Sequence, residues 1–120
     1  MRRTCVGAYF CALCAIFLAA TALAQRAGTT FERLDVADTA VGFAEATLDP
    51  AGLPQIRACQ GRVETAQIRY RFDGGAVTAT TGILLEIGDV VDIANHADAS
   101  AVRFVKTGST TGVVQAMCWP

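Results

Sequence analysis

The single histidine, His96, stands in the run IANHADAS, with Asp92 and Asp98 near it and serines at positions 100 and 109. A histidine working as a general base needs a nucleophile on one side and an orienting carboxylate on the other. Neither Ser100 nor Ser109 is framed by the G-x-S-x-G elbow that raises a hydrolase serine on a strained turn. His96 is therefore read as a solvated residue of a polar loop. Asp89, Asp92, Asn95 and Asp98 offer the hard oxygen donors that calcium takes, but no D-x-D-x-D-G loop spaces them. Asp92 alternates with Val91 and Ile93, as an outward strand residue does. No CxxC pair or Cys/His cluster provides a zinc site. The sequence thus points to a protein that is not an enzyme, with no catalytic residues, no metal and no cofactor.

Binding chemistry has better candidates. In IRYRF, Ile68, Tyr70 and Phe72 share one face of an extended segment and Arg69 and Arg71 share the other. Arg103 alternates in the same way with Val102 and Phe104. Arg69, Arg71 and Arg103, with Arg57, line an outer sheet face that is solvated first and an interaction surface second. Trp119, the one tryptophan, could stack on a sugar ring as an exposed platform or close the edge of the domain as a lid. Tyr70 goes with its apolar neighbours into the core. The candidate binding residues are Arg69, Arg71, Arg103 and Trp119.

The elements that must position them have period two, not 3.6. Strands are expected at Phe31–Leu34, Gly42–Leu48, Ile56–Glu64 and Gln67–Asp73. Two short ones follow at Ile83–Leu85 and Val90–Ile93, joined at Glu86–Asp89, and two more in AVRFVK and TGVVQAMCWP. The last run sets Val114, Ala116 and Cys118 on one face. Asp73-Gly74-Gly75, Gly88-Asp89 and Thr107-Gly108 supply turns where glycine meets no Cβ penalty. A helix over VADTAVGFAEATL is opposed by Gly42 and the threonines. The threonine-rich AVTATTG is a polar rim segment whose hydroxyls satisfy backbone groups. About seven to eight short strands in so small a chain imply an all-β fold, a single antiparallel β-sandwich of jelly-roll or Ig-like type.

The chain of 120 residues holds one such domain. Residues 1–24 have the form of a signal peptide: Arg2 and Arg3, an apolar run from Val6 to Leu23, and the small-x-small site Ala22-Leu23-Ala24. An uncleaved anchor helix is the alternative reading of this run. Cleavage leaves a short flexible stretch, residues 25–30, and a sandwich domain over residues 31–120, with no membrane span. Loss of Arg2 and Arg3 from the 10 basic residues leaves them three short of the 11 acidic ones. Nucleic acid is excluded as a partner, since it calls for a basic excess. Of five cysteines, Cys59 and Cys118 remain after cleavage. An even pair in an exported chain reads as a disulfide, with two buried free thiols as the alternative. The location implied is export: periplasmic, extracellular or on a virion.

Three separated runs, VETAQIRYRFDGG, TATTGILLEIGD and RFVKTGSTTGVVQ, resemble a family of small all-β proteins encoded among bacteriophage and prophage structural genes. The likeness spans about Phe31 to Trp119. It implies a compact β-sandwich that docks on a larger protein assembly or a cell surface, with no catalytic residues to carry over. The chain departs from the family where Ala76-Val77-Thr78 replaces a proline-bearing segment, and in carrying a leader. A shorter stretch, IRYRFDGGAVTATTG, is similar to the Ig-like domain appended to chitobiases and other carbohydrate-active enzymes. That likeness implies a spacer or accessory module; the alternative function is a secreted carbohydrate-binding or adhesion module with a glycan as partner, for which Trp119 is the platform.

Overall fold

Alternation of apolar and polar residues is carried into seven strands: β1 (Thr30–Val36), β2 (Ala58–Glu64), β3 (Ile68–Arg71), β4 (Ile83–Leu85), β5 (Val90–Ile93), β6 (Arg103–Lys106) and β7 (Gly112–Trp119). The structure, a computed structural model, describes residues 29–120. The expected signal peptide and residues 25–28 lie outside them. The strands form a four-stranded sheet, β1-β7-β2-β5, and a three-stranded sheet, β4-β3-β6, with every pair antiparallel. Packed together, the two sheets make an all-β sandwich.

The pairing is nested, as if the chain were folded in half and then rolled. β1 pairs with β7, β2 with β5 and β3 with β4. Between the first two comes Val41, which bridges to Phe104 of β6 through both backbone hydrogen bonds, 3.0 and 2.8 Å. This order is that of a jelly roll whose second strand is reduced to one bridge. An immunoglobulin order would put the last strand beside the sixth, whereas β7 lies between β1 and β2.

The inner faces supply the core. Phe104, Ile56, Ile68, Val36, Val63, Val102 and Val114 are fully buried, together with Cys59 and Cys118. The two cysteines stand directly opposite one another on β2 and β7, with Cα atoms 4.0 Å apart, and are joined by a disulfide across 59 residues of chain. Such a bond fits an oxidising environment. No helix among the described residues is long and apolar enough to cross a membrane.

Two expectations are corrected. Gly42–Leu48 is not a strand. It holds Val41's bridge at its approach and then the short helix α1 (Glu45–Leu48). Both carboxylate oxygens of Glu32 accept from the Ala44 N–H at 3.2 and 3.1 Å, which starts the turn, and Leu48 alone is buried. Phe43 and Leu48, the residues that pack inward, are five apart and so give no period-two pattern to hold a strand. The loop around His96 is likewise a helix, α2 (His96–Ala101). Asn95 caps it, its side chain accepting from Asp98 N at 2.8 Å while its amide donates to the Asp98 carboxylate. Asn95 is an N-cap residue of the favoured type, and Asp98 adds an acidic side chain in the first turn.

β2 admits no side chain at Gly61. A Cβ there would meet Val114 Cγ1 at 2.8 Å and Val91 Cγ1 at 3.3 Å, one on each neighbouring strand. Gly61→Ala is expected to cost about 1–3 kcal/mol through overpacking. Urea unfolding under oxidising conditions measures it, and an unchanged midpoint would show that the inner face is looser than described.

Candidate functional site

Arg69, Arg71 and Arg103 are gathered on the outer side of the three-stranded sheet, where Arg71 and Arg103 are cross-strand partners. They are occupied there. Arg69 donates from Nε to Ala79 O at 3.1 Å and from Nη1 to Gly82 O at 2.8 Å. Arg71 grips both oxygens of Asp73, at 3.0 and 2.6 Å, and reaches Ala76 O at 3.1 Å. Arg103 turns back to the carbonyls of Ser100 and Val102. The guanidiniums therefore brace the 73–82 loop and the end of α2 instead of forming an open cationic face. Trp119 lies apart from them on the other sheet, 40% exposed at the end of β7.

The loop that Arg69 and Arg71 hold is satisfied from within. Gly74 takes a φ of 77°, and the Gly75 N–H donates to Asp73 at 3.1 Å. The Thr78 hydroxyl accepts from the backbone N–H groups of Thr80 and Thr81, and Thr78 and Thr81 exchange backbone bonds. The Arg71 hydrogen bonds, then the Gly75 N–H, hold the Asp73 carboxyl down at about 2.

His96 is a brace too. Its Nδ1 lies 2.9 Å from Ile56 O, while Nε2 lies 3.3 Å from Ser100 Oγ and 3.8 Å from Asp49 Oδ2. A relay needs the nucleophile and the carboxylate on opposite ring nitrogens. Here both approach Nε2, and Ser100 Oγ donates to the carbonyl of His96. The ring joins α2 to the C-terminal end of α1 and to the approach to β2. Asp89 accepts from Glu86 N, Asp92 from Gln60, and Asp98 from Asn95. No group of three or more metal-binding side chains gathers among the described residues.

A different surface stands out. A row of aromatic rings runs from Phe43 to buried Phe104, to Tyr70 and to Phe72, with centroid separations of 6.1, 6.1 and 5.9 Å. At its outer end Phe72 is 40% exposed. There a hollow of about 250 Å³ opens between Arg71, Phe72, Asp73, Thr81, Gly82 and Ile83. Ile83 and Leu84 on β4, Ile87 in the link to β5 and Val90 on β5 are exposed as well, Ile87 to 63%, with Leu84 opposite Arg69 and Val90 opposite Arg62 on different sheets. The strands are where the sequence puts them. Their exposure was not legible, because a continuous apolar run reads as a buried strand. The available signal was Ile87, an isoleucine inside a turn, where no core can receive it.

Because its folded pKa lies below the ordinary 3.8, Asp73 contributes stability above that value that is lost as pH falls towards about 2. The Gly75 amide is expected to shift over that window in an NMR titration, and Asp73→Asn to abolish the shift. An Asp73 carboxyl that titrates at the ordinary value would remove the bidentate pair. Comparison with protein-family models, with curated proteins and with solved structures found no match to this chain.

Proposed function

We propose that this chain is an exported, non-enzymatic β-sandwich that docks on a larger assembly, of the structural or accessory type found among phage and prophage proteins. The observation that carries the reading is the set of exposed apolar side chains Phe72, Ile83, Leu84, Ile87 and Val90, which fall at the end of β3, on the edge strands β4 and β5 and in the link between them. Surfaces of this kind on small proteins mark interaction sites. The three motif resemblances supply the phage class, and the jelly-roll pairing agrees with it by fold analogy, since capsid domains use that architecture. The test is fractionation of a producing culture, with mass spectrometry on sedimented particles, periplasm and soluble medium. The expected result is a chain beginning at Gln25 that travels with particles. A chain found wholly in the soluble fractions would sink the virion-accessory reading.

A second reading, a glycan-binding or adhesion module, is favoured by Trp119. It stands on the outer side of the four-stranded sheet with Met117, and Phe31 is the cross-strand partner of Met117. An aromatic corner can stack on the apolar side of a pyranose. On this reading Trp119→Ala lowers retention on an insoluble polysaccharide at least tenfold, because stacking carries the binding. Unchanged retention removes the platform.

A further inference from the structure

The four outer edges of the two sheets are treated differently. β6 is covered by the Val41 bridge and by Ala37, whose carbonyl accepts from Lys106 N at 3.1 Å. β1 carries Glu32, Arg33 and Asp35, charges that discourage pairing with another strand. β4 has neither protection, and β5 carries a single charge, Asp92. They lie on one side of the sandwich, joined by residues 86–89, which are pinned to β2 by Gly88 N to Val63 O and Val63 N to Asp89 O at 2.8 and 2.9 Å. Among the described residues, the backbone groups of β4 and β5 that face away from their neighbours make no backbone hydrogen bond. The exposed side chains along this flank, Ile83, Leu84, Ile87 and Val90, include no lysine and no proline.

Resting on the docking role above, we propose that this flank receives an extended, lysine- or arginine-bearing segment of a partner protein, added as a strand beside β4. An added strand would satisfy the free backbone groups and place alternate side chains against Ile83 and Leu84. The hollow at Phe72, about 250 Å³, is smaller than pockets for drug-sized ligands and suits one large apolar side chain. Charge selects the occupant. Glu86, Asp89 and Asp92 lie on the edge itself, in β5 and the link before it. The basic neighbours are Arg62 opposite Val90 and Arg69 opposite Leu84, one strand further in, and Arg71 at the hollow, which is paired with Asp73. Arg69 is turned to the loop carbonyls. A second copy of the chain would bring two sets of carboxylates together, whereas a basic segment is attracted by them.

The test uses the isotope-labelled oxidised chain and two synthetic eight-residue peptides, one alternating valine with lysine and threonine, the other with glutamate replacing lysine. The expected result is that amides of Ile83–Ile93 shift with the basic peptide, that it binds about tenfold more tightly than the acidic one at low salt, and that the gap closes as salt rises. Ile83→Lys and Ile87→Lys, both at exposed positions, should abolish the shifts and leave the remaining spectrum unchanged. Equal binding of both peptides, shifts elsewhere, or self-association of the free chain through these amides would overturn the proposal. Particle sedimentation separates this failure from that of the docking role. Wild type absent from particles sinks the role, while wild type and both variants present in particles sink the flank.

Discussion

The sandwich closes on β7. This strand lies between β1 and β2, and β1 has no other strand neighbour, so the first and last strands hold the four-stranded sheet together. Its inward residues, Val114, Ala116 and Cys118, are buried to within 1% and face the opposite sheet. Full burial of a valine-sized side chain is worth about 1.5–3 kcal/mol relative to exposure. The disulfide fixes the register covalently, because Cys59 and Cys118 are partners in the ladder itself. A slip of one residue would turn every β7 side chain to the wrong face and part the two sulfurs at once. Gly61, beside that bond, lets the strands approach where Val114 and Val91 fill the space.

Period-two alternation made most of this fold legible. The limits expected for β4 and β5 are those observed, since Glu86–Asp89 is a turn in both sequence and structure. The cysteine pairing was legible as well. The failures have physical causes. Near Gly42 the segment makes a single strand-like bridge, too little to show a period, and the helix that follows depends on Glu32, a residue distant in sequence. At Arg69, Arg71 and Arg103, alternation gave the correct face but not the occupancy, because apart from the Asp73 carboxylate that Arg71 grips the acceptors are carbonyls, which a sequence does not distinguish. The apolar flank was hidden for the opposite reason. Its residues look like core, and only the topology puts β4 and β5 at the ends of their sheets.

The polar groups of the molecule are largely spent on its own backbone. Arg69, Arg71, Arg103, His96 and Thr78 all engage main-chain groups of loops or helix ends. This suits a domain with many short connections, whose unpaired backbone groups need partners that no ladder provides. The outcome is a division of labour. Charged side chains stabilise the rims, and apolar side chains are left exposed on β4, β5 and the link between them.

The position of β7 also governs when the domain can form. Synthesis delivers β1 and β2 long before residues 112–119, and the two strands do not pair with each other. The local hairpin β3–β4 can assemble early, but the place between β1 and β2 stays empty until the final strand arrives. Pairings as distant as Thr30 with Cys118 make the closing step slow relative to helical domains of similar size. The nascent chain therefore spends its synthesis incomplete, with Cys59 waiting for a partner sulfur that is made almost sixty residues later.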